Sequence, residues 1–275
     1  MTLTLRKVNV RVPLAPDRVV HAVTDADLVV RRGTVHGLIG ESGSGKSMLA
    51  ATITGLLPKQ ARMRGDVALE LDGRTLGTTE IRRSRGRTVA WVPQSAMTYF
   101  TPVRRVGPQL AETIRYLGTA HHPADQFAEV GLEVEALQRY PHELSGGMAQ
   151  RAAVAFALAG DPALIIADEP TSALDAERAG AILRLLGDFA ARGGRVLLVT
   201  HDLTALRASG ICTDVSVMYA SRIVETGSAA VVLDEPVERY TRDLLAALPE
   251  NGLHPLPFAT PELVNLAADF RYGTR

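Results

Sequence analysis

Residues 40–47 read "GESGSGKS", closing the short apolar run "TVHGLIG" at 34–40, which has the length of a buried strand. Glycines at this spacing let successive backbone N–H groups turn inward on phosphate oxygens. Lys46 then reaches the β and γ phosphates of a nucleotide, and the Ser47 hydroxyl offers a ligand to Mg²⁺. Gly40, Glu41, Ser42, Gly43, Ser44, Gly45, Lys46 and Ser47 are therefore the expected nucleotide-binding loop. "KSMLAATITGLL" continues it as a helix that stops before Pro58. Strand, phosphate loop and helix in that order predict an α/β fold around a parallel sheet, a P-loop NTPase core.

Three further apolar runs fit buried parallel strands: "TVAWV" at 88–92, "ALIIA" at 163–167 and "VLLVT" at 196–200. Polar groups follow each one, where ligands of such sheets bind. "ALIIADEP" ends in two carboxylates, Asp168 placed to hold Mg²⁺ and Glu169 to orient and deprotonate an attacking water. His201 emerges after the last run and offers an imidazole to a γ-phosphate. Gln94 follows the first run and is uninformative alone.

The rest of the chain arranges itself around this core. Alternating apolar positions over 3–30, broken by Pro13, Pro16 and the Arg31-Arg32-Gly33 turn, predict an N-terminal antiparallel β region. Helical spacing of Leu110, Ile114 and Leu117, then of Phe127, Val130 and Leu132, predicts an inserted α-helical subdomain over about 96–160. Ile182, Leu185, Leu186 and Phe189 share one face of a crossover helix over 176–191. Strands "DVSVMYA" and "SRIVETG" and a helix "VERYTRDLLAALP" complete a domain spanning 1–248, and the Pro-rich tail 249–275 is poorly patterned. The basic run "IRRSRGR" at 81–87 reads as a solvated loop, because no aromatic residues interleave it.

Composition narrows the function classes. Thirty basic and thirty acidic side chains leave formal net charge zero, so no global field draws the chain to nucleic acid or anionic lipid. Cys212 is the only cysteine, which excludes an internal disulfide framework. "MTLTLRKVNVRV" alternates like a strand and lacks the apolar centre of a signal peptide, and "AAVAFALA" is far shorter than the ~20 apolar residues of a membrane helix. The expectation is a soluble chain, at most peripheral to a membrane.

One stretch remains. "HELSGGMAQR" at 142–151 places a serine and two glycines ahead of an alanine-rich helix, a second anion cradle in a chain that already has one. The order phosphate loop, Gln94, "LSGG", Asp168-Glu169, His201 resembles the ATP-binding cassette ATPases over about residues 1–248. The resemblance makes 40–47 the Walker A loop, Gln94 the Q-loop with a Mg²⁺-binding role, "LSGGMAQR" the signature, Asp168-Glu169 the end of Walker B, "SALD" at 172–175 the D-loop and His201 the switch histidine. It implies that two cassettes face head to tail, so that Ser145, Gly146 and Gly147 contact the ATP held by a partner's phosphate loop.

Finer features resemble the ATPases of oligopeptide, dipeptide and nickel importers: "GRTVAWVPQSAMTYFTPVRRVGPQLAET", "RYPHELSGGMAQR" and "ERYTRDLLAALP". That branch implies transmembrane permease subunits, a second ATPase that is a paralogue or a copy of this chain, an extracytoplasmic substrate-binding protein acting indirectly, and a place on the cytoplasmic face of the cell membrane. It also makes "SAMTYFTPVRRV" a groove for a membrane-subunit helix, where packing within the helical insertion is the alternative for Tyr99 and Phe100. Three departures stand out. Residues 16–23, "PDRVVHAV", lack the aromatic residue on which the family commonly stacks adenine, leaving Arg18, Val20 or His21 for that place. The tail lacks the cysteine-rich segment of many peptide importers, which tilts the reading toward nickel or metal-chelate relatives. Ala149 stands where an arginine is frequent. The alternatives are a mechanical ATPase of DNA repair or translation, which shares the motifs, and a silent ATP-binding partner, against which Gln94, Glu169 and His201 are all present.

Overall fold

In the computed structural model, residues 2–172, 174–252, 254–258, 260–267 and 270–273 are described. Two long strands open the chain, β1 (Thr2–Ala15) and β2 (Arg18–Arg31), joined by a tight turn and paired antiparallel. Pro13 lies inside β1 rather than ending it. It is tolerated because the next strand on that side pairs with β1 only as far as Arg11, so no ladder donor is required beyond it. After β3 (Thr34–Ile39) and α1 (Lys46–Thr54) come β4 (Arg62–Leu71), β5 (Arg74–Gly77) and α2 (Thr78–Arg83). Together β2-β1-β4-β5 form a four-stranded sheet, as the antiparallel reading of the N-terminus anticipates, extended by two strands that it does not.

The second sheet has the order β10-β9-β3-β8-β7-β6, from β6 (Val89–Val92), β7 (Leu164–Asp168), β8 (Arg195–Thr200), β9 (Asp214–Tyr219) and β10 (Arg222–Ser228). Its strands run parallel except β10, which returns antiparallel on β9. Both faces are apolar with the two-residue period of a strand. Ile165, Ala167, Val196 and Leu198 enter one core with the inserted helices, while Leu164, Ile166, Leu197 and Val199 enter another with α1 and the first sheet. Between β6 and β7 the described residues hold no strand, only short turns and the helices α3 (Val106–Leu117), α4 (Pro123–Glu129) and α5 (Gly146–Leu158). Leu110, Ile114, Leu117, Phe127, Val130 and Leu132 are all buried there, as their spacing requires.

α6 (Ala176–Ala191) crosses from β7 to β8 and buries Ile182, Leu186 and Phe189. α7 (Leu203–Ser209), α8 (Ala229–Asp234) and α9 (Arg239–Ala246) complete the α-helices among the described residues. The run 81–87 departs from the loop expected of it: its first three residues finish α2, with Ile81 buried and Arg82 and Arg83 outward. The Glu80 carboxylate accepts from Gly77 N at 3.0 Å and holds that helix start. No helix among the described residues is long and apolar enough to cross a membrane.

Candidate active site

Sheet order assembles the site. The phosphate loop leaves β3, and β8, β7 and β6 follow it side by side, so Ile39, Thr200, Asp168 and Val92 end at one edge. Residues far apart in sequence meet there because parallel strands all deliver their C-terminal ends to the same side.

The loop is held by contacts that only glycine permits. Gly40 has φ +142°, and a Cβ there would stand 2.1 Å from Met218 O. Gly45 has φ +108°, and its Cβ would stand 2.2 Å from Ala22 O. The chain therefore turns tightly into α1, leaving the first N–H groups of that helix available to an anion. Lys46 Nζ donates to Gly40 O and Glu41 O at 2.7 and 2.8 Å, folded over its own loop. Burial lowers the Lys46 pKa, opposed by the carboxylates of Glu169, Asp168 and Glu41.

Ser47 Oγ donates to Asp168 Oδ1 at 3.0 Å. Burial raises the Asp168 pKa and the charge of Glu169 adds to it, while the Ser47 hydrogen bond and Lys46 oppose. A hydroxyl and a carboxylate touching at a phosphate loop form a hard-oxygen donor pair of the kind Mg²⁺ takes beside phosphate oxygens, so the residues fit that ion. The Gln94 amide bonds the neighbouring carboxylate: its Nε2 donates to Glu169 Oε2 at 3.0 Å.

Glu169 sits where three strand ends converge. It takes φ +47°, uncommon for a residue with a Cβ, and its N–H donates to Val199 O at 2.8 Å. Such a conformation costs about 1–3 kcal/mol and is held by the surrounding bonds. Its side chain lies between Gln94 and His201, whose Nδ1 is 3.0 Å from Oε1. Each carboxylate oxygen keeps a second lone pair, so a water proton has an acceptor without dismantling the arrangement.

Ser145 caps α5, its Oγ accepting from Met148 N at 3.3 Å. Ser145 and Gly146 are exposed. Gln150, buried one turn further, donates to Pro93 O at 2.9 Å and ties the "LSGG" helix to the residue before Gln94. Nothing in the sequence assigns Gln150 a role, although it lies within "HELSGGMAQR". In "SALD", Asp175 caps α6 by accepting from Arg178 N at 2.9 Å, and Ala173 lies outside the described residues. Further partners of the phosphate loop have no role that the sequence assigns, among them Tyr240, whose hydroxyl meets Glu41 N and Oε2 at 3.2 Å each, and Ser221, whose N–H donates to Ser44 O at 2.9 Å.

A phosphate loop, a strand-end Asp-Glu pair and polar groups from the neighbouring strands define a P-loop ATPase. The ABC transporter family matches residues 23–172. The probable D,D-dipeptide transport ATP-binding protein of Escherichia coli is 40% identical over 90% of this chain and 80% of its own. The oligopeptide transport ATP-binding protein of Haemophilus influenzae is 35% identical over 94% of this chain and 84% of its own. Among solved structures, an ATP-binding cassette in a dimeric post-hydrolysis state with ADP and Pi superposes with TM-score 0.68 at 25% identity, covering 82% of this chain and 98% of that one. The chain belongs to the ABC transporter family, and it is an ATPase.

Proposed function

We propose that this chain is the nucleotide-binding subunit that powers an importer of peptides across the cytoplasmic membrane, seated on the cytoplasmic face beneath transmembrane permease subunits. The observation that carries the reading is the likeness, over nine-tenths of the chain, to a relative named for dipeptide transport. Nickel or metal chelates are the alternative cargo that the importer branch admits.

In this reading residues 40–47 bind the ATP phosphates, and Ser47, Asp168 and Gln94 hold Mg²⁺. The ion, when bound, supplies charge to offset that developing on the phosphate oxygens. Glu169 orients a water and takes its proton as the oxygen bonds to the γ-phosphorus. The bond from that phosphorus to the β-phosphate oxygen breaks, giving ADP and phosphate. His201 donates to the γ-phosphate as charge builds there. Ser145, Gly146 and Gly147 serve the ATP of a second cassette, which is why a chain with one phosphate cradle owns another.

Transmission to the membrane starts at Gln94. Phe100 is buried against Phe156 with ring centroids 5.2 Å apart, so it belongs to the packing of the insertion. Met97, Tyr99 and Val103 remain exposed on the same segment and offer an apolar surface to a permease helix. The test is to purify the complex from its membrane, identify its subunits, and screen peptides and nickel chelates for stimulation of ATP turnover. Stimulation by peptides supports the proposal, whereas copurification with DNA or ribosomes in place of membrane subunits overturns it.

A further inference from the structure

The tail that the sequence left unpatterned is docked beside the phosphate loop. Its path begins near the switch histidine, where Thr204 Oγ1 donates to the Glu250 carboxylate at 3.0 Å. Further on, Thr260 Oγ1 donates to Glu41 Oε1 at 3.1 Å, inside the loop itself. Residues 263–265 then lie along β2, the edge strand of its sheet. His21 N donates to Leu263 O and Asn265 N to Val19 O, both at 2.8 Å, around an antiparallel bridge of Val20 with Val264. The Asn265 side chain closes the pairing, accepting from Val19 N at 2.9 Å and donating to Asp17 O at 2.7 Å. Beyond it, Phe270 and Tyr272 pack on Tyr219 and Tyr240, and the Tyr240 hydroxyl returns to Glu41.

Sheet order gives a bound nucleotide its direction. The groups that face a γ-phosphate follow β8, β7 and β6, all on one side of β3. Ribose and base must therefore leave the loop on the other side, toward β9, β10 and the β1–β2 hairpin. That side is in contact with the loop, since Thr24 N donates to Ser221 O at 2.7 Å and Ser221 N to Ser44 O at 2.9 Å. Residues 16–23 bring no Phe, Tyr or Trp there. They bring Val20 and His21, both half-buried, and the tail adds half-buried Leu263 and Val264 beside them.

We propose that residues 260–265 are a strap that builds the base side of the nucleotide site. The strap spans from Glu41 to the hairpin and fixes Val20 and His21, with Leu263 and Val264, as an aliphatic and imidazole flank for the purine, in place of a stacked aromatic. Thr260 and Asn265 are positioning residues: they act through Glu41 and the hairpin. The inference rests on residues 40–47 being the phosphate site.

Calorimetric titration of the full chain with MgADP and with magnesium pyrophosphate separates base-side from phosphate-side binding without turnover. Asn265→Gly removes both side-chain bonds while remaining at ease with φ +52°, and Thr260→Val releases the other end. Each is expected to weaken ADP about tenfold, leave pyrophosphate within about twofold and keep the thermal midpoint, with Thr260→Ser restoring ADP affinity. ADP binding that is unchanged or tighter, or an equal loss for pyrophosphate, overturns the strap. Lys46→Ala separates the two claims. Survival of pyrophosphate binding there removes the phosphate-site reading and the strap with it, whereas its loss alongside an indifferent Asn265→Gly removes the strap alone.

Discussion

Replacing Glu169 by glutamine isolates the proton acceptor from the frame that holds it. Glu169 accepts from Gln94 Nε2 and faces His201 Nδ1, each at 3.0 Å. A glutamine amide can point its oxygen at Gln94 and its NH₂ at a His201 whose Nδ1 is unprotonated, so both contacts survive in neutral form. Hydrogen bonds to a charged group contribute about 1.5–3 kcal/mol against about 0.5–1.5 for neutral ones, a loss of about 1 kcal/mol per contact. Removing a carboxylate beside buried Asp168 offsets part of that, because the charge of Glu169 is one of the causes disfavouring ionised Asp168. The net change in stability should stay within about 1 kcal/mol, or roughly 2–4 °C in Tm for a chain of this size. Catalysis should fall much further, since an amide takes no proton: general-base removal costs about 10²–10⁴ in rate, or about 2.7–5.5 kcal/mol of barrier. The assay is ATP turnover by the membrane complex at saturating ATP, beside equilibrium ATP binding and a thermal melt. Turnover within about threefold of the parent would refute Glu169 as the base, and equal losses of binding and turnover would show the frame to be what was broken.

Other substitutions separate the remaining roles. His201→Ala should reduce turnover by about 10²-fold or more with ATP affinity within about threefold, and parallel losses in kcat and binding would end its transition-state role. Gly146→Leu should fold normally, because among the described residues a Cβ there meets only Leu174 Cδ2 at 3.7 Å, yet abolish turnover of the site whose phosphate loop lies on the partner cassette. Full activity in that variant would contradict the second cradle's role, and Gly147 is the poorer probe, its Cβ falling 2.8 Å from Arg178 Cδ. Buried His36 bonds Ser216 Oγ at 2.9 Å, and burial holds its pKa down to about 4, with Arg31 assisting and Asp214 opposing. The unfolded chain then binds the extra proton, so this stability is complete above pH ~6.5 and is lost as pH falls toward 4, roughly 3 kcal/mol in all. Urea unfolding of His36→Gln between pH 4 and 7 should show a flatter pH dependence than the parent, and an unchanged slope would remove His36 from the account.

What the sequence displayed depends on how far each contact reaches. Phosphate loop, Asp168-Glu169 and His201 were legible because each follows a short apolar strand, and parallel topology brings such ends together without further information. Strands β4 and β5 were missed because six charged residues and three glycines interrupt the apolar positions of "RMRGDVALELDGRTLG", which buries little beyond Val67 and Leu69. The helix at 78–83 did leave a signal, Glu80 three residues after Gly77, but the arginines around it read as loop. The tail could not have been read locally: its pairings with Asp17, Val19 and His21 cross almost the whole chain, and no periodicity within 254–273 encodes them. Gln94 shows the limit in the other direction. Its position was legible, but only the fold shows it bonded to Glu169.

In the proposed assembly one ATP is shared between the phosphate loop of one cassette and the serine–glycine helix start of another. The direct test is the structure of the membrane complex carrying Glu169→Gln with ATP bound. Phosphates are expected on Gly40–Ser47 of this chain, with the serine and glycines of the second cassette's signature against the γ-phosphate and Ser145–Gly147 of this chain at the opposite site. A nucleotide closed over by this chain's own Ser145–Gly147, or held with no second cassette against it, would rule out the shared site.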